Sequence, residues 1–232
     1  MRHRLWRRSV PHALWLAVVL YFDGWTLRPW RLVILAIAWG SLVSSTAAIL
    51  LETASGVIAD RLGVPNLDAM IIAPLWEEVT KGAFIVLLYI FAQRQIRGAW
   101  NGLFYGALVG TGFGITEDLV DLISNLDDFA DLASAYMVRE VFMAHLHPMF
   151  TASTGLAAGI AAQQGVSVAR GLRWILYGFL IALTLHAIFD SATVFVTFAT
   201  LILGPLYAVI AVIALRHLRR RREKAIAQGE SA

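Results

Sequence analysis

The sequence contains no cysteine and few charged residues. Without thiols, the chain can form no disulfide, no cysteine-ligated zinc site and no thiol nucleophile. Asp, Glu, Lys and Arg make up 15% of the 232 residues, whereas soluble domains average about 25%. Hydrophobic residues make up 59% of the chain. This composition predicts an integral membrane protein and leaves no room for a separate soluble catalytic domain.

Two further features are lacking, a large charge imbalance and an internal repeat. The formal net charge is only +3, and the arginines cluster at the ends of apolar stretches, as membrane anchoring requires. We therefore expect the lipid bilayer, and no nucleic acid, as a partner. The absence of a repeat argues against the many transporters that are built from repeated halves.

The apolar stretches predict an all-α fold, a polytopic transmembrane helix bundle. Crossing a membrane takes roughly 20 residues of helix, and six stretches fit: 32–51, 70–91, 99–124, 140–163, 172–195 and 197–215. A short apolar helix at 11–24 is predicted to be only partly inserted. The chain then divides into a basic N-terminal segment (1–31), the bundle (32–215) and a basic tail (216–232).

Loop charges predict the orientation. Arg94 and Arg97, Arg170 and Arg173, and the basic tail fall on one side of the predicted spans, whereas the connections at 52–68 and 125–138 are mostly acidic. Positive loops stay in the cytoplasm. We therefore expect a multi-pass protein of the cell membrane with a cytoplasmic C-terminus.

Several polar or small residues are expected to be structural. Gly102, Gly106, Gly110 and Gly114 recur every four residues, which lays a stripe of glycine on one helix face and allows close packing in lipid. Glu52 is predicted to lie in a polar loop. Asp118 and Asp121 are expected to be solvated or to lie near the interface, and His145 is expected to be a packing residue.

The span at 70–91 carries Glu77, Glu78 and Lys81 near its middle. Each charge at that depth costs on the order of 2.5–3.5 kcal/mol on insertion scales, so the three are expected to face a protein interior or a wet cavity. Spacings of three and four residues place Lys81 on nearly the same helix face as both glutamates. Lys81 can offset one carboxylate, which leaves the other for chemistry.

Three other spans also carry polar groups at depth. Glu117 shares a helix face with Phe113, His147 with Thr151, and His186 with Asp190, because each pair is four residues apart. Buried carboxylates can act as general bases, and histidines with carboxylates can hold zinc with an open position for water. The same groups can polarise a water without a metal. Both kinds of site remain open at this point.

Four motifs, in order on successive apolar spans, carry a resemblance. E77-E-V-T-K81, F113-G-I-T-E117, H147-P-M-F-T151 and H186-A-I-F-D190 resemble motifs of the PrsW family of intramembrane proteases, a relative of the CAAX prenyl endopeptidases and bacteriocin-immunity membrane proteins. The resemblance runs from about residue 30 to 195. One departure is Asp118, where the family pattern leads us to expect Asn.

The resemblance implies metal-dependent hydrolysis of a peptide bond in a membrane-anchored protein such as an anti-sigma factor. Glu77 would be the general base, Glu78 would shape its charge state, and Lys81 would supply the counter-charge. Glu117, His147 and His186 would hold a divalent metal, with zinc as the expected ion, and Asp190 would be either the fourth metal ligand or a partner that orients a ligand.

Three alternatives stay beside this hypothesis. The first is a transporter or channel in which the Glu/His set relays protons or binds an ion. The second is a non-catalytic scaffold or immunity protein that keeps these residues for stability. The third is proteolysis of a prenylated or otherwise lipid-modified peptide. The sequence names no substrate, scissile bond or oligomeric state.

Overall fold

A computed structural model describes residues 29–96, 98–124 and 146–195, with a few isolated positions elsewhere. Some of the sequence-based predictions fall outside these ranges. They are the partly inserted helix at 11–24, Arg97, the acidic connection at 125–138, His145, most of the span at 197–215, and most of the basic tail. The described residues form one helical bundle without strands, which confirms the predicted all-α fold.

Six α-helices run through the described part of the chain. They are α1 (Trp30–Ala38), α2 (Ser45–Leu62), α3 (Ala73–Phe91), α4 (Ala99–Ser124), α5 (Leu146–Gln163) and α6 (Val168–Phe195). A π-helical segment at Trp39–Ser44 joins α1 to α2, a second at Asp68–Ile72 leads into α3, and a 3₁₀ turn at Gln93–Gln95 follows α3.

The first predicted span is longer than expected. α1, the π-helical segment and α2 continue as one helical stretch to Leu62, so Glu52 lies on a helix and its placement in a loop was wrong. By length and apolarity, Trp30–Val57 and Val168–Ser191 are candidate membrane spans within the described residues. The predicted total of six spans stays a prediction.

The α4–α5 pair packs through glycine. A side chain at Gly102 would collide with the carbonyl of Gly155, and one at Gly110 would collide with the carbonyl of His147. At Gly106, an added Cβ would lie 2.5 Å from the Thr151 carbonyl oxygen. Because these helices nearly touch along their backbones, the predicted packing role holds for three of the four glycines. Gly110 also brings the start of α5, and with it His147, against α4.

The N-terminal helices pack on the opposite face of α4. A side chain at Gly40, in the π-helical segment, would collide with the backbone of Val109, and one at Gly112 would collide with that of Ile37. α4 therefore lies between α5 and the N-terminal helices, with close backbone contact on both faces. Asp118 is buried in this helix, so the expectation that it is solvated was wrong.

We predict that Gly106→Ala destabilises the bundle. The new methyl group would meet backbone atoms of Thr151 and Ala152, at 2.5 and 2.9 Å, and overpacking of this kind costs about 1–3 kcal/mol. Thermal unfolding in detergent should show a lower midpoint. The control is Gly56→Ala on α2, where an added Cβ meets nothing within 4 Å. A stability equal to that of the wild type at position 106 would contradict the close contact.

Candidate active site

The two glutamates and the lysine of α3 lie inside the bundle. Glu77 is 8% exposed, Glu78 is 1% exposed and Lys81 is fully buried. α3 begins with Pro74 in its first turn, where proline is well tolerated. The helix then places residues three and four apart on neighbouring faces. Both carboxylates therefore meet the Lys81 ammonium within one turn.

Lys81 is the hub of the buried polar groups. Its Nζ lies 2.6 Å from Glu78 Oε1 and donates to Glu77 Oε2 at 3.3 Å and to His147 Nδ1 at 3.2 Å. The same ammonium lies 4.2 Å above the centre of the Phe113 ring, within range of a cation–π contact. A single cation thus offsets two carboxylates and holds one imidazole.

Glu78 connects α3 to α5 and α6. Its Oε1 accepts a hydrogen bond from His186 Nδ1 at 3.0 Å, and its Oε2 accepts one from Thr151 Oγ1 at 3.3 Å. Both carboxylate oxygens are therefore engaged by described residues, which leaves Glu78 as an orienting group. The Phe150 ring stacks on His186 with centroids 4.7 Å apart and restricts the ring further.

His147 lies between two charged partners. Its Nε2 contacts Glu117 Oε2, while its Nδ1 accepts from Lys81 and lies 3.7 Å from Glu77 Oε2. The contact with a carboxylate assigns the proton to Nε2, and the contact with an ammonium assigns the lone pair to Nδ1. The lone pair of His147 is therefore engaged by Lys81, and Glu77 lies next to it.

His186 has the opposite tautomer. Its Nδ1 faces Glu78 and carries the proton. Its Nε2 lies 3.7 Å from Glu77 Oε2 and 3.5 Å from Asp190 Oδ2. The lone pair on Nε2 therefore points at two carboxylates. The ring centroids of His147 and His186 are 5.2 Å apart, so His147 Nδ1 and His186 Nε2 both lie near Glu77.

These contacts create a small region in which acceptors face one another. One ligand atom from each of Glu77, His147 and His186 lies within 4.8 Å of the other two. Two imidazoles and one carboxylate, with a position left for water, are a common ligand set of catalytic zinc. In addition, the outward nitrogen of each imidazole meets a carboxylate, Glu117 or Glu78, as is usual for metal-binding histidines. The residues present fit a divalent metal.

A cavity opens beside this region. Its volume is about 430 Å³, and its wall includes Glu77, Glu117 and Asp190 together with Phe113. The seven residues predicted as site residues from the sequence, on four helices, therefore meet around one centre. Glu117 and Asp190, predicted as metal ligands, each contact one of the two histidines, whereas Glu77, predicted as the base, lies between both.

Some residues near the centre were not predicted from the sequence. Trp39 Nε1 donates to the Thr80 carbonyl at 3.0 Å, and the hydroxyls of Ser44 and Thr80 lie 2.7 Å apart. These contacts tie the π-helical segment to the turn that carries Glu77 and Glu78. The π-helical segment itself could not be predicted from the spacing of apolar residues. Such segments often occur at functional sites.

Comparison with known proteins places these observations in a family. Residues 28–217 match the model of the PrsW family of intramembrane metalloproteases. Protease PrsW of Oceanobacillus iheyensis is 27% identical over 160 residues, 69% of this chain and 70% of that protein. Protease PrsW of Geobacillus kaustophilus is 26% identical over 137 residues, 59% of this chain and 55% of that protein. No solved structure matches this chain significantly.

We predict that Lys81→Met destabilises the protein strongly. The substitution removes the ammonium from two buried carboxylates, and loss of one partner of a buried ion pair costs about 3–5 kcal/mol. The double variant Glu78→Gln/Lys81→Met should recover part of the loss, because one of the unpaired charges is then gone. Unfolding in detergent measures both. Equal stability of Lys81→Met and the wild type would contradict the role of Lys81 as hub.

Proposed function

This chain belongs to the PrsW family of intramembrane metalloproteases, and we propose that it hydrolyses a peptide bond at the centre formed by Glu77, His147 and His186. The substrate is a membrane-anchored protein, and an anti-sigma factor is the kind of substrate that the family resemblance suggests. The observation that carries the proposal is the meeting of two imidazole nitrogens with one carboxylate beside a cavity.

Facing acceptors repel one another unless a cation or a proton donor lies between them. Lys81 satisfies Glu77 and His147 in part, but the Nε2 lone pair of His186 faces Glu77 and Asp190, which are both carboxylates. A divalent metal or a polarised water satisfies this arrangement. Water is the reactant of hydrolysis, and a metal at this position would activate it.

The geometry supports one assignment of the metal ligands over the other. In the first, Glu77, His147 and His186 hold the ion, while Glu117 and Glu78 orient the two imidazoles. In the second, which follows from the sequence motifs, Glu117, His147, His186 and Asp190 hold the ion and Glu77 is the base. The compact distances around Glu77 favour the first. A bound metal of this kind lowers the pKa of its water to about 7.

The residues of this chain have separate tasks in the hydrolysis. Glu77 and Asp190 face the cavity, where a carboxylate accepts the proton of the attacking water as its oxygen adds to the peptide carbonyl carbon. The same proton passes to the amide nitrogen when the C–N bond breaks. Lys81 and Glu78 keep the charge of the centre balanced, and the Phe150 ring excludes water from His186.

We expect Glu77→Gln to abolish cleavage under either assignment, because the substitution removes the carboxylate that faces both histidines. The assay is the appearance of new N-termini in membranes that contain the wild type or the variant. Expression level and thermal stability of the variant serve as the control for folding. Full cleavage by this variant would reject the proposal. Ion flux in liposomes without cleavage would favour the transporter, and loss of the folded protein would favour the scaffold.

Metal content separates the two assignments. Purified His147→Ala and His186→Ala should lose the ion under both. Glu77→Gln should lose it if Glu77 is a ligand and retain it if Glu77 is the base, while Glu117→Gln and Asp190→Asn should give the opposite result. Replacement of outer partners typically costs about 10- to 100-fold in metal affinity, so titration with a competing chelator is the appropriate measurement. A metal content unaffected by both histidine variants would reject a metal at this centre.

The orientation also stays a proposal, with the C-terminus in the cytoplasm. It rests on the positions of Arg94, Arg170 and Arg173 at one end of the described helices. The α2–α3 connection is then on the outer side, and the α5–α6 connection on the cytoplasmic side.

The absence of native cysteine makes this orientation directly testable. A cysteine at Val64, which is exposed between α2 and α3, should react with a membrane-impermeant maleimide in intact cells. A cysteine at Gln164, exposed between α5 and α6, should react only after the membrane is opened. The reverse labelling pattern would overturn the orientation.

A further inference from the structure

The cavity beside the centre has a wall that the proposed hydrolysis does not use. At about 430 Å³, it lies within the usual range for ligand pockets, about 300–1,000 Å³. Glu77 and Glu117 belong both to this wall and to the centre. Whatever occupies the cavity therefore lies against the reacting groups, and for a protease that occupant is a segment of the substrate.

The charge of this wall has one sign. The acidic residues that line the cavity are Glu52, Glu77, Glu117, Asp121 and Asp190, and no Lys, Arg or His is among the described lining residues. The rest of the wall is apolar or carries a hydroxyl. Lys81 lies behind Glu77 and does not line the cavity. A side chain that enters the cavity therefore meets apolar surface and, among the described lining residues, charges of negative sign alone.

Apart from Asp121, which interacts with other residues, Glu52 is the acidic residue of this wall that has no task in the centre. It projects from α2, is half-buried, and lies within electrostatic range of Glu117, Lys81 and His186. No hydrogen bond or ion pair of its carboxylate with another described residue is present, and a partly buried charge without a partner is costly. A cation in the cavity would relieve that cost.

The cation that fits Glu52 is a side chain. The compact group able to hold an ion, within the described ranges, consists of Glu77, His147 and His186 and does not include Glu52. Lys and Arg instead carry their charge at the end of a long apolar stem, so they can reach a carboxylate from a neighbouring backbone position. The cavity lies at the end of α3 that follows the α2–α3 connection, which is the outer side in the proposed orientation. Lys and Arg are less frequent next to spans on that side, so a basic residue there would distinguish a substrate from other membrane proteins.

We propose that this protease selects a substrate segment with a Lys or Arg close to the scissile bond, and that Glu52 is the specificity-determining residue that pairs with it. The inference rests on the proposed function, because it presumes that the cavity receives the substrate. It adds a substrate class, a basic juxtamembrane segment, and a residue outside the four motifs.

Cleavage sites provide the first test. New N-termini are identified by mass spectrometry in membranes from cells that express the wild type, with Glu77→Gln as the inactive reference. We expect Lys or Arg enriched within about three residues of the cleaved bonds, about the span that an extended peptide of 3.3–3.6 Å per residue covers in such a cavity. Cleavage without that enrichment would overturn this inference and leave the proposed function intact. No cleavage by the wild type would overturn both.

Variants of Glu52 provide the second test, on a reporter built from one identified site with Lys, Gln or Glu at the basic position. The wild type should prefer Lys by about tenfold in kcat/KM, as expected for one charge pair at a partly buried site. Glu52→Gln should remove the preference but still cleave the Gln reporter, and Glu52→Lys should prefer the Glu reporter. The matched control is Asp68→Asn, an exposed acidic residue near α3 and outside the cavity wall, which should keep the preference for Lys.

The outcomes distinguish specificity from structure. A loss of fold or of general activity in Glu52→Gln would lower cleavage of all three reporters by the same factor, and that result would overturn the assignment. A change in reporter preference that follows the charge at position 52 cannot result from a loss of fold or of general activity, because such a loss does not depend on the charge of the substrate.

Discussion

The buried Lys81 ammonium is the interaction on which the site depends. Two carboxylates and one imidazole converge on it without solvent, at 2.6, 3.3 and 3.2 Å. A buried pair of glutamates is unfavourable without such a cation, because desolvation disfavours both charges and each repels the other. With Lys81 in place, Glu78 can engage His186 and Thr151, and Glu77 is left facing both histidines and the cavity. Because both oxygens of Glu78 are already engaged, Glu77 is the glutamate for which we propose the reactive role.

Close helix packing makes this convergence possible. Glycines on α4 let α5 approach until backbone meets backbone, and Gly110 lies against His147 itself. A bulkier helix face would hold His147 away from Glu117 and from α3. The π-helical segment at Trp39–Ser44 ties the other side of α3 through Thr80. The polar centre is thus held by packing from small residues, as is usual where lipid offers no hydrophobic driving force between helices.

Much of the site could be predicted from residue types and spacing. Charges in the middle of an apolar stretch are costly, so Glu77, Glu78 and Lys81 were predicted to face a protein interior or a wet cavity. Four-residue spacing predicted that His186 and Asp190 share a helix face. Other features could not be predicted in this way. Glu52 looks like a loop residue because it ends an apolar run, yet helical hydrogen bonds continue to Leu62. Asp118 looks solvated, but its burial depends on neighbours that spacing does not specify.

The sequence by itself determined the helical, membrane-embedded character of the protein and the candidate reactive groups, because composition, periodicity and short motifs are local properties of the chain. Only the tertiary structure decided which groups touch. It places Nδ1 of His147 and Nε2 of His186 near Glu77 and brings their other nitrogens against Glu117 and Glu78, respectively. It also places Glu52 in the wall of the cavity that Glu77 lines. Those relations join residues on different helices, and helix rotation and approach are set by packing that no single segment encodes.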